Sequence, residues 1–119
     1  MKHRSWQQLE QDLAAGGESY SEFLRVPAMS AGLYALPAGE PDLQEPHHED
    51  EVYVVLAGAA TFTGGGESAL VSSGSVIFVP AHEEHRFHDI TEDLEVVVVF
   101  APPETAGLAS GNVLACRHC

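Results

Sequence analysis

Short runs in which apolar and polar side chains alternate dominate this chain. Ahead of the first run, Ser5 and Gln8 form the signature of a helix N-terminus. Trp6, Leu9 and Leu13 then recur on one helical face until Gly16-Gly17. The expected opening element is a short amphipathic helix over about residues 5–15, its face packed across a sheet. From there the period is two. Glu22 to Val26 and Met29 to Leu36 read as strands punctuated by Pro27 and Pro37, and a loop rich in Pro, Gly and acid spans Pro37 to Pro46. A β-branched and aromatic run from Glu51 to Ala57 stops at Gly58, and Ala59 to Thr63 reads as its return strand. Gly64-Gly65-Gly66 turns the chain into Glu67 to Val71, and Ser72-Ser73-Gly74 turns it again into Ser75 to Val79, which Pro80 ends. His85 to Ile90 and Leu94 to Ala101 follow, joined by Thr91-Glu92-Asp93. About eight short strands at this turn spacing predict an all-β jelly-roll barrel with a short N-terminal helix.

Composition narrows the classes. At 119 residues the chain is expected to form one domain, residues 1–119, with a tail from 103 onward. A hydrophobic share of 45% fits a globular protein. The longest apolar run, Val96 to Ala101, suits a buried strand and is far too short for a bilayer, so no membrane partner is expected. The basic start Met1-Lys2-His3-Arg4 leads into Ser-Trp-Gln-Gln rather than an apolar segment, which reads as no secretory signal and a cytoplasmic location. A formal net charge of -13 argues against nucleic acid as a partner, because phosphate contacts need clustered Lys and Arg. Acids bunch at Glu40 to Glu51 and at Asp89 to Glu95, so the field at a barrel mouth would gather cations and oppose anions. Cys116 and Cys119 form a single C-x2-C at the terminus, which lacks the second pair of a structural zinc site and reads as a tail with incidental thiols.

The candidate chemistry lies in two segments. The first carries Gly39, Glu45-Pro46-His47-His48-Glu49-Asp50-Glu51 and Gly58; the second carries Gly74, Pro80, His82, His85 and Asp89. On a strand, alternate side chains share a face, so His47 and Glu51 project together and Tyr53 with them. Glu45 joins this face if the strand extends back through Pro46. His48 has the opposite parity and reaches the same ion only through a bulge. His85, Phe87 and Asp89 share one face, leaving Arg86 and His88 on the other. Glu51 stands directly before an apolar run, where a carboxylate needs solvent or a cation. His82 and His88 read as a turn residue and a rim residue, and Tyr53 as a core aromatic or a proton donor lining a pocket.

These spacings resemble the two signatures of the cupin superfamily, G-x5-H-x-H-x3-4-E-x6-G and G-x5-P-x-G-x2-H-x3-N. His47, Glu51 and Gly58 fall on the first, with Glu45 where the family has its first histidine; Gly74, Pro80 and His85 fall on the second, with His82 for the glycine and Asp89 for the asparagine. The resemblance covers roughly residues 22–102 and implies a double-stranded β-helix. It implies a divalent metal (Fe, Mn, Zn or Ni) held by His47, Glu51 and His85, with Glu45 either a fourth ligand or a general base. Two histidines and one carboxylate with open positions suit non-haem iron, so a dioxygenase-like activity on a small-molecule ligand is the leading enzymatic expectation. A non-catalytic ligand or metal sensor and an isomerase or epimerase are the alternatives. The resemblance also implies a homodimer.

Overall fold

The structure, a computed structural model, describes residues 1–105; Cys116, Cys119 and nearly all of the expected tail lie outside the described residues. Helix α1 (Trp6–Gly16) begins under a reciprocal cap. Ser5 Oγ accepts from the Gln8 N–H at 3.2 Å, and Gln8 Oε1 accepts from the Ser5 N–H at 2.9 Å. Leu9 and Leu13 are buried against Leu33, with Phe23, Ala35, Leu56 and Val97 around them, so the helix covers the outer face of a sheet. Trp6, in the first turn, is 40% exposed.

Six antiparallel strands follow: β1 (Tyr20–Val26), β2 (Met29–Leu36), β3 (Asp50–Gly64), β4 (Glu67–Ser72), β5 (Val76–Val79) and β6 (His85–Ala101). Their order is β1-β2-β6-β3-β4, with β5 also on β3. The first half of β3, Glu51 to Val54, lies between β5 and β6, and its second half, Ala59 to Gly64, lies between β4 and β6. This is the double-stranded β-helix.

Two expectations need correction. Ala59 to Thr63 is no return strand but the continuation of β3, and Thr91-Glu92-Asp93 is no turn but the middle of β6. The reason is non-local. Ala57 pairs with Glu95 and Ala59 with Glu92, so β3 and β6 run alongside each other for nearly their whole length, and register shifts between Val55 and Thr61 absorb the bend. Gly58 sits within those shifts at φ +98°. Side chains of Tyr34, Tyr53, Phe62, Phe87, Leu94, Val96, Val98 and Phe100 fill the inside of the bent sheet. Inward positions at one end of that core are polar instead, and they make the site.

Candidate metal centre

Glu51 is the first inward residue of β3 and Tyr53 the next; His85 opens β6 and Phe87 is the next inward residue there. His47 precedes β3, in a segment without regular structure, and its carbonyl accepts the His82 N–H at 2.7 Å, which ties the two motif segments together. The result is a buried His-Glu-His group. His85 Nε2 lies 3.2 Å from Glu51 Oε2, and His47 Nε2 lies 3.7 Å from Glu51 Oε1. One ligand atom from each of the three residues falls within 4.8 Å of the others.

The electrostatics of this group favour a cation. His47, Glu51 and His85 are 3%, 1% and 7% exposed, and neither carboxylate oxygen of Glu51 accepts a hydrogen bond from the described residues. Burial, eased by the nearby Tyr53 hydroxyl and reinforced by the charges of Glu104, Glu49 and Asp42, pushes the Glu51 carboxyl up to about 8. Burial, followed by the Glu51 charge, also holds Tyr53 well above its ordinary value, so the phenol keeps its proton. His85 Nδ1 lies 2.8 Å from the Glu83 carbonyl, which can only accept, so in the neutral ring Nε2 presents its lone pair to the centre. An anion facing imidazole lone pairs in a dry site is costly by itself. A divalent ion bonded at about 2.0–2.2 Å sets its ligand atoms roughly 3.0–3.5 Å apart, close to the separations found here.

Comparison with known proteins fits this geometry. The cupin domain family model matches residues 32–101, from β2 to the end of β6. The chain belongs to the cupin family. The uncharacterized protein SCO3923 of Streptomyces coelicolor is 51% identical over 105 residues, covering 88% of this cupin and 100% of the relative. Among solved structures, BH2720 from Bacillus halodurans superposes with a TM-score of 0.69 at 19% identity, over 81% of this chain and 79% of that one. TT1209 from Thermus thermophilus gives 0.68 at 24% identity, over 87% and 99% respectively.

The cupin scaffold does not bring every candidate into the group. Glu45 is exposed and stands outside it: β3 begins at Asp50, so strand parity never reaches position 45. Glu45 instead lines a cleft of roughly 590 Å³ with Pro46, Glu84 and Arg86, whose lining also includes Gln44 and the buried His85. His48 is also exposed, its ring 5.1 Å from that of His82. His88 bonds Thr63 Oγ1 at 2.7 Å and Asp89 Oδ2 at 2.8 Å on the rim. Asp89 shares the sequence parity of His85 and Phe87, yet it is exposed, because its backbone at φ +49° breaks the alternation. Tyr53 is a core aromatic whose hydroxyl reaches the edge of the group. Its ring packs at 5.2 Å from Phe87 and 5.7 Å from Phe62, while its hydroxyl lies 3.1 Å from His85 Nε2.

Three residues near the centre carry no sequence signal. Gln44 Oε1 lies 3.1 Å from His85 Nε2, and Asp42, 8% exposed, holds the Gln44 amide. Glu104, beyond β6 and outside the family match, places Oε2 3.6 Å from His47 Nδ1. Arg25 donates to the Glu104 carbonyl at 2.8 Å, and the Glu104 N–H donates to Ser30 Oγ at 2.9 Å. Burial, with help from Glu49 and Glu22, pushes the Glu104 carboxyl up to about 8.

Proposed function

We propose that this cupin is a metal-dependent protein for a small organic molecule, with His47, Glu51 and His85 holding a divalent ion. The observation that carries the reading is the Glu51 carboxylate, sealed from solvent with no hydrogen-bond donor among the described residues and flanked by two imidazole nitrogens. Such an ion supplies Lewis acidity to an oxygen-bearing ligand. The chain's own residues do the rest. The cleft whose lining includes Gln44 and His85 admits the molecule, Arg86 on its wall offers a cation to a carboxylate, and the acids Glu45 and Glu84 oppose multiply charged anions. Tyr53 holds a proton on its hydroxyl beside His85, shared with Gln44, and would pass it on only to a ligand that takes the place of that amide. Proton-transfer chemistry, as in an isomerase, epimerase or lyase, is the reading this hydroxyl favours. Oxygen-dependent chemistry is the second, favoured by the two-histidine, one-carboxylate donor set. A homodimer belongs to the same proposal, since Leu70 on β4 and Val76 and Phe78 on β5 are large apolar side chains left exposed.

Elemental analysis of the purified protein tests the metal. The expected result is about one divalent ion per chain in the natural protein, falling by more than tenfold in His47→Ala and His85→Ala, since even outer-shell partners carry 10–100-fold in affinity. Equal metal content in all three proteins would remove the proposal. Oxygen uptake with small thiols, catechols and diketones, set against solvent deuterium exchange into the same compounds, separates the two chemistries.

A further inference from the structure

The position that cupins give to their first histidine is held here by Glu45, which faces away from the centre. One residue earlier, Gln44 faces it. We propose that Gln44 is a metal ligand of this site, its amide oxygen supplying the donor that Glu45 does not. The inference rests on the metal reading above and deepens it.

The orientation of the amide is fixed by its neighbours. Gln44 Nε2 donates to Asp42 Oδ2 at 2.6 Å, and a carboxylate can only accept, so the NH2 end faces Asp42 and Oε1 faces the centre. Asp42 is itself held in place: the Tyr34 hydroxyl donates to its Oδ1 at 2.7 Å, and the Phe87 N–H donates to its Oδ2 at 2.8 Å. This chain of bonds runs from β2 and β6 into an otherwise irregular loop and aims one oxygen at one point. Oε1 accepts from the Tyr53 hydroxyl at 2.7 Å and lies 3.1 Å from His85 Nε2.

In the neutral His85 ring the second of those contacts has no proton to share. With His85 Nδ1 donating to the Glu83 carbonyl, Nε2 carries a lone pair, and so does Oε1. The Tyr53 hydroxyl has one proton and gives it to the amide. Glu51 Oε2 is a third lone-pair atom, 3.2 Å from the same Nε2. Three donor atoms from three segments thus converge on one point, an arrangement that a shared cation satisfies. The sp2 oxygen of Gln44 has two lone pairs, one for Tyr53 and one for the ion.

Titration of the metal-free protein with Co2+, followed by its visible d–d absorption, tests the assignment. Gln44→Met keeps the side-chain length and removes the oxygen; Gln44→Glu restores one. The expected result is that Gln44→Met still binds Co2+ through the other three residues, but about tenfold or more weakly and with altered band intensity, while Gln44→Glu recovers the natural affinity or exceeds it. Natural affinity and spectrum in Gln44→Met would overturn the role of Gln44 and leave the metal reading standing. Absence of Co2+ binding by the natural protein, indistinguishable from His47→Ala, would overturn both. Circular dichroism reports folding, and should Gln44→Met fail to fold, Gln44→Asn, which draws the oxygen back by one methylene, gives the same comparison.

Discussion

Glu51→Gln is expected to abolish metal binding and, at pH 8, to raise the melting temperature of the metal-free protein. The two effects have one cause. Glu51 is the single negative charge among His47, Glu51 and His85, so its loss exceeds the 10–100-fold that an outer-shell partner carries. Without an ion the same charge is a liability, because burial raises its folded-state value from the ordinary 4.5 to about 8. Below about 4.5 the carboxyl is protonated whether the chain is folded or not, and it exacts nothing. Between 4.5 and 8 the unfolded chain releases the proton and the folded one retains it. Stability therefore falls as pH rises through that window and levels off above it. Every pH unit spanned by the window corresponds to about 1.4 kcal/mol, so the loss is on the order of a few kcal/mol, and Glu104, raised in the same way, adds to it. A glutamine at position 51 is neutral throughout, and its NH2 can donate to the His85 Nε2 lone pair. The variant should gain several degrees over the metal-free natural protein at pH 8 and little at pH 4.5. Thermal melts across that range check it. Lower stability in the variant at pH 8 would show that Glu51 is satisfied by the fold alone.

Gly58→Ala should destabilise the barrel by about 3 kcal/mol or more, a large fraction of the roughly 5–15 kcal/mol by which domains are ordinarily stable. Two penalties coincide at this residue. Its φ of +98° suits only glycine, and a Cβ built there would stand 2.3 Å from the Asp93 carbonyl oxygen and 2.7 Å from Leu94 Cα. Both obstacles are backbone, on β6, and cannot rotate aside. Gly58 is where β3 bends between the half that carries Glu51 and Tyr53 and the half that pairs with β4. Its closeness to β6 explains why the motif closes on glycine seven positions after the glutamate. Chemical denaturation of the variant beside the natural protein measures the cost; a difference below about 1 kcal/mol would contradict the bend as described.

What the sequence reveals follows from how local each feature is. The helix cap at Ser5 and Gln8 and the alternation along the first half of β3 and at His85 to Phe87 and Leu94 to Phe100 of β6 are written within a few residues, and the structure has them. Gly58 and Thr91-Glu92-Asp93 carry the composition of turns, and whether such a place reverses the chain or only bends it depends on pairing with a strand far away. The same division runs through the site. His47, Glu51 and His85 are marked by spacing, and the fold brings them together. Gln44 sits in a loop that has no period, so residue spacing favours its neighbour Glu45. Glu104 lies past the last strand, and only tertiary packing brings it to His47.

The most direct test is an anomalous difference map from crystals grown with Mn2+, recorded at a wavelength where manganese scatters anomalously. The account predicts one strong peak inside the barrel, within bonding distance of both imidazole Nε2 atoms and the Glu51 carboxylate. Density confined to surface groups such as the His48 and His82 rings, with none between His47 and His85, would contradict it.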